Sequence, residues 1–159
     1  MRILLPTDGS VYSDAVIQAL VHRPWPQDTE IRIISVANAI PERWDPLLVG
    51  SALHLDSLNE ERRIAERNVV DAARKVASGA PALKVSKQVL EGSPKAVILH
   101  DAEEWGADLI MLGSHGYGAA LGFLLGSVAQ AIVLHAPCSV ELVRTPKVNA
   151  APQNDRVPA

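Results

Sequence analysis

Four small residues in the second half of the chain have types and spacing that suit anion chemistry. Gly113-Ser114-His115-Gly116 follows the uncharged apolar run Leu109 to Leu112, and after nine intervening residues come Gly126 and Ser127, which open a helical pattern. A strand, a glycine loop and a helix N-terminus can together hold a phosphate. The glycines let the backbone approach the anion, and the unpaired N–H groups of the first helical turn point at it. The helix dipole favours its charge. Ser127 adds a hydroxyl donor. The spacing alone serves a tight turn with close helix–strand packing equally well. Neither a Gly-x-x-x-x-Gly-Lys loop nor a Gly-x-Gly-x-x-Gly fingerprint at the first strand is present.

The charges around these glycines narrow the chemistry. No Lys or Arg lies between Lys95 and Arg144. A phosphate held in the loop must therefore rely on backbone amides, hydroxyls, His115 and a metal ion, which for a polyphosphate means Mg2+. The acid placed to help is Asp8, in Pro6-Thr7-Asp8-Gly9-Ser10 just past the first apolar run. Taken by itself, Asp8 is equally well read as a turn residue ahead of a helix.

The elements that must bring Asp8 to the glycines follow from periodicity. Ile3 to Leu5 reads as a buried strand. Ser10 is a candidate N-cap for a helix carrying Ala15, Val16, Ala19 and Leu20, which Arg23-Pro24-Trp25-Pro26 ends. Ile31 to Val36 is a β-branched strand. After a loop over 38–48, a helix over about 50–77 places Leu55, Leu58, Ala65, Val69, Ala72 and Val76 on one face, with a solvated charged face opposite. Leu83, Val85 and Val89 mark a half-exposed third strand. Ser93 and Pro94 open a helix bearing Val97, Ile98, Ala102 and Trp105. Leu109 to Leu112 is a central strand. A last helix, with Ala129, Ile132, Val133 and Ala136 on one face, precedes the strand Val140 to Val143.

This β-α alternation predicts an α/β fold: an open five-stranded parallel sheet of order 3-2-1-4-5 with four helices on both faces, Rossmann-like. Strands one and four are then neighbours where the strand order reverses, and ligands bind at the carboxyl ends of such strands. Asp8 and Gly113 face one crevice in that topology, with the end of strand two near Val36 as its adjoining wall.

Composition sets the outer bounds. The 159 residues suit one domain, expected over 1–145, with a polar Pro/Ala-rich tail over 146–159 expected to be disordered. The core must be aliphatic, since 48 % of residues are hydrophobic and only 4 % aromatic. A formal net charge of −3 without a basic block argues against nucleic acid as a partner. The one cysteine, Cys138, excludes an internal disulfide and a cysteine zinc site, and reads as a structural thiol. No apolar stretch is long enough for a membrane span or signal peptide, so a cytoplasmic protein is expected.

The whole pattern resembles the universal stress protein family. The match rests on Gly-x-x-Gly-x9-Gly-Ser at Gly113, Gly116, Gly126 and Ser127, on the opening Ile3-Leu4-Leu5-Pro6-Thr7-Asp8-Gly9-Ser10, and on Asp108 to Gly116. The resemblance covers roughly residues 2–145. It implies an adenine nucleotide alpha hydrolase-like fold that binds ATP with Mg2+, a role in stress response or regulation, and little or no turnover beyond slow ATP hydrolysis. By position, Asp8 would meet the ribose or the metal–phosphate side, with Pro6 and Thr7 beside it. The Val36 backbone would meet adenine. Leu112, Gly113, His115, Gly116, Gly126, Ser127 and Val128 would surround ribose and phosphates. A homodimer through the fifth strand and a regulatory protein partner are also implied. Two departures stand out: residues 117–125 contain no basic residue, and after Cys138 stand Ser139 and Glu141 where the family tends to have proline and aliphatic residues, with the Glu141 charge on an edge strand able to blunt pairing.

The departure in 117–125 motivates a competing reading, a nucleotide-independent interaction module of the same fold. Asp8 and His115 motivate an enzyme, although no nucleophile–base pair stands at useful spacing. His22, His54 and His100 lack metal-ligand spacing. Arg43 and Trp44 read as loop surface, and Phe123 to Leu125 as an apolar lip.

Overall fold

The computed structural model describes residues 1–38, 52–115 and 125–144. Nine elements follow in order: β1 (Arg2–Pro6), α1 (Val11–Val21), β2 (Glu30–Ala37), α2 (Ala52–Gly79), β3 (Lys84–Glu91), α3 (Pro94–Trp105), β4 (Leu109–Gly113), α4 (Ser127–His135) and β5 (Ser139–Val143). The sheet order is β3-β2-β1-β4-β5, and every pairing is parallel. The expected fold is the observed one.

Strand alternation splits the aliphatic residues between two cores. Ile3, Leu5, Ile31, Ile33 and Met111 meet Val16, Ile17 and Leu20 of α1 and Val69, Ala72 and Val76 of α2. Leu4, Ile34, Ile110 and Leu112 meet Ile98 and Ala102 of α3 and Ala129 and Ile132 of α4. Each fully buried Leu or Ile contributes roughly 1.5–3 kcal/mol of transfer free energy. β1 and β4 lie at the centre and are buried along both faces. β3 is an edge, and its Val85 and Val89 are half-buried as their spacing predicts.

Local chemistry sets the helix ends. Ser10 caps α1, its Oγ accepting from the Ser13 N–H at 3.3 Å. Beyond α1 the Trp25 indole donates to the Leu20 carbonyl at 2.7 Å, which occupies an acceptor that the helix leaves open. The charged face of α2 carries the ion pairs Arg62–Glu66, Arg67–Glu60 and Arg74–Asp71.

Three expectations change. Leu55 and Val133 do not join their helices' buried faces; they are 55 % and 45 % exposed. In α4 the buried stripe is carried by Ala129 and Ile132 alone. Ser93 stands at the N-cap of α3 with Pro94 behind it, but its side chain makes no capping bond. Glu141 turns to the α1 side, where both of its oxygens accept from Arg23 at 2.6 Å. Its charge is thus matched within the chain. The expectations for Arg43, Trp44, the loop beyond Asn38, Phe123, Leu124 and the tail fall outside the described residues.

Candidate functional site

The site begins with strand pairing. Ile3 and Leu4 of β1 lie beside Leu109 and Ile110 of β4. From there the chain steps outward to β2 on one side and β5 on the other. The helices that follow β1 and β4 therefore cannot close over the same gap, and a crevice opens at the carboxyl ends of the two strands. α1 and α4 both begin at this end, so two helix N-termini flank the crevice.

On the β1 side, Pro6 is the last strand residue and pairs in register with Ile34. Thr7 is buried; its N–H donates to the Ile34 carbonyl at 2.8 Å, and its Oγ1 accepts from the Gly9 N–H at 3.2 Å. Asp8 is fixed by its neighbours. Its Oδ1 accepts from the Ser13 hydroxyl at 2.5 Å and from the Ser10 N–H at 3.0 Å, and its own N–H donates to Ser13 Oγ at 3.2 Å. Gly9 has φ +75°, and a Cβ there would run into the Asn68 amide of α2. The turn that presents Asp8 thus needs glycine both for its backbone and for its space.

On the β4 side, Leu112 is buried and Gly113 ends the strand. A Cβ on Gly113 would lie 3.0 Å from the Tyr12 Cβ, 3.2 Å from the Tyr12 carbonyl carbon and 3.2 Å from the His115 oxygen. The start of α1 therefore sits directly on Gly113, which brings the two halves of the site into contact. Ser114 is the buried junction. Its N–H donates to the Val143 carbonyl of β5 at 3.1 Å, its carbonyl accepts from the Gly126 N–H at 2.9 Å, and its hydroxyl lies 2.9 Å from His115 Nδ1. The His115 ring packs on Tyr12, with centroids 5.4 Å apart.

Gly126 is the N-cap of α4, and its carbonyl accepts from the Gln130 N–H at 2.9 Å. Its own N–H is already spent on Ser114. The amides left for an anion are those of Ser127, Val128 and Ala129, which have no acceptor within the helix. Ser127 is exposed and Val128 half-buried on the α3/α4 core. Val36, the penultimate residue of β2, stands on the β1 flank. The structure thus brings Pro6, Thr7, Asp8, Leu112, Gly113, His115, Gly126, Ser127 and Val128 to one end of the sheet, with Val36 alongside; Gly116 lies outside the described residues.

Sequence reasoning missed Tyr12, Ser13 and Ser114. Ser13 had a local signal, because a serine three residues after an N-cap serine and five after an aspartate can reach both. Tyr12 against His115 had none, since the two meet only through Gly113.

The donor set suits a phosphate-bearing ligand: first-turn amides and a hydroxyl. Asp8 gives one anchored carboxylate. That suits a cation shared with a ligand's phosphates rather than one caged by protein. Among the described residues no group of three or more His, Cys, Asp or Glu could hold a metal alone. Cys138 is half-buried, and burial, followed by the charge of Asp108, pushes its thiol pKa up, as befits a structural thiol. His22 and His100 are exposed and bond within their own helices.

These features define an open α/β protein with a topological switch point between β1 and β4. Residues 1–144 match the model of the Universal stress protein family, and the chain belongs to that family. A Staphylococcus haemolyticus protein assigned to the family is 32 % identical over 148 residues, 92 % of this chain and 86 % of its own. Universal stress protein UspA from Lactobacillus plantarum superposes with a TM-score of 0.75 at 27 % identity, covering 91 % of this chain and 97 % of that one. An Arabidopsis thaliana family protein with AMP bound shares the fold at 13 % identity and a TM-score of 0.67, covering 96 % and 97 %. Among the described residues no helix is long and apolar enough to cross a membrane.

Proposed function

We propose that this chain is an ATP-binding regulatory protein of the stress response, holding Mg-ATP at the β1/β4 crevice with little or no turnover. The observation that carries the reading is that α1 and α4 both begin at the carboxyl ends of β1 and β4, where the Ser127, Val128 and Ala129 amides have no acceptor within their helix. The AMP carried by the Arabidopsis relative supports an adenine nucleotide as the ligand class. In this reading Val36 lines the adenine side. Pro6, Thr7, Leu112 and Gly113 floor the ribose. His115, Gly116, Ser127 and Val128 with the α4 amides hold phosphates, and Gly126 sets the turn that aims them. Mg2+ bound to the phosphates supplies counter-charge beside Asp8.

Isothermal titration with ATP and Mg2+ tests the reading. Saturable binding that a chelator sharply weakens is expected; no heat at millimolar nucleotide overturns it. ATP hydrolysis that survives both Asp8→Ala and Ser127→Ala would come from another site. The domain is proposed to span 1–145, the protein to act in the cytoplasm, and β5, an outer strand, to pair with a second copy. A nucleotide-independent interaction module is the second reading, favoured by the lack of Lys and Arg between Lys95 and Arg144. Retention of a regulatory partner by a Gly113→Val variant that has lost nucleotide would support it.

A further inference from the structure

The stretch without Lys or Arg ends at Arg144, and the fold returns that residue to the crevice. β5 pairs with β4 so that Val143 stands beside Gly113, and the Val143 carbonyl accepts from the Ser114 N–H at 3.1 Å. The Ser114 carbonyl in turn accepts from the Gly126 N–H at 2.9 Å. Arg144 and Ser127 are therefore each one residue beyond a partner of Ser114, on either side of it. Arg144 is also in phase with Val140 and Leu142, which pack in the core beneath α3 and α4.

The ion pairs isolate this residue further. Arg2, Arg23, Arg32, Arg62, Arg63, Arg67, Arg74, Lys75 and Lys84 each have a carboxylate within ion-pair distance. Among the described residues Lys87, Lys95 and Arg144 have none. Lys87 lies mid-strand on the outer β3, and Lys95 opens α3, which follows that same outer strand. Arg144 alone adjoins the Gly113–Ser114 turn, and it is exposed.

We propose that Arg144 is the cationic ligand of the crevice, pairing with the terminal phosphates of a nucleoside polyphosphate and setting preference for tri- over monophosphate. The inference rests on the proposed nucleotide site. It replaces the expectation that this site has no basic side chain. A guanidinium offers a planar fork of donors to phosphate.

The test titrates ATP, ADP, AMP and adenosine with Mg2+ into wild type, Arg144→Ala, Arg144→Lys and Lys87→Ala at two salt concentrations. Arg144→Ala should lose about tenfold in ATP affinity, the scale of one hydrogen bond to a charged group. It should lose less for AMP and nothing for adenosine, and its ATP binding should become less salt-sensitive. Arg144→Lys should recover part of the loss, and Lys87→Ala should match wild type. Wild-type ATP affinity in Arg144→Ala overturns this inference while leaving the nucleotide site standing. An equal loss for adenosine overturns it as well, because that marks a structural role, and so does an equal loss in Lys87→Ala, which marks a diffuse field. Failure of wild type to bind any of the four removes the nucleotide site and this inference with it.

Discussion

The two ends of the sheet are built from the same strands and differ in how their polar groups are used. At the amino end the groups satisfy one another. The Arg2 N–H donates to Asp108, Lys84 pairs with Asp28, and Arg23 pairs with Glu141. Backbone bonds such as Glu30 N–H to the Met1 carbonyl close the strand starts. Two open grooves of about 460 and 430 Å3 lie there too. They are lined in part by Arg74, Lys75, Arg23 and Asp28, whose charges are already paired. At the carboxyl end the Ser127, Val128 and Ala129 amides have no acceptor within their helix, and Arg144 has no carboxylate partner among the described residues. Paired charges mark one end and unspent hydrogen-bonding capacity the other; only the second amounts to a reason to bind an anion.

The comparison breaks most completely at Gly113. Gly113→Val puts a branched side chain into Tyr12 of α1, so it should cost about 3 kcal/mol in urea unfolding, at the upper end of overpacking, and abolish nucleotide heat. Asp8→Ala should cost about 2 kcal/mol, because Ser13 and the Ser10 N–H lose a charged acceptor, and should weaken Mg-ATP binding in titration. Gly9→Ala forces a Cβ into the left-handed region and against Asn68, for about 1–2 kcal/mol in the same unfolding assay. The amino end should respond far less. Arg23→Ala removes a pair that solvent screens, so about 0.5 kcal/mol or less is expected in stability, with unchanged nucleotide affinity. A binding loss in Arg23→Ala as large as that in Asp8→Ala would erase the distinction between the ends.

The smallest effect concerns Cys138. Burial raises its thiol pKa, so at neutral pH the folded chain holds less thiolate than the unfolded chain. Alkylation should be slower in buffer than in urea, and equal rates would count against the packing around it. The sign for stability follows. The contribution is fully present below the pKa of the unfolded thiol and is lost as pH rises through that of the folded one.

Much of the fold was legible because it is local. Ser10 as a cap, Pro24 and Pro26 as a stop, and the uncharged run Leu109 to Leu112 each act through neighbours in sequence. β-α alternation then leaves few topologies, and the switch point follows from the strand order. Local pattern failed where burial depends on how far another element reaches. Leu55 and Val133 are in phase with buried residues, yet the described residues leave them about half exposed.

The sequence by itself determined the strand order and with it the switch point between β1 and β4, because periodicity and turn chemistry operate over a few residues. Tertiary structure decided which groups there are occupied and which are available. The Gly126 N–H is spent on Ser114, Glu141 is matched by Arg23, Tyr12 packs on His115, and Arg144 comes back beside Gly113. Each of these depends on parallel pairing between segments far apart in the chain, and a hydrogen bond or charge is spent or free only with respect to neighbours that pairing supplies.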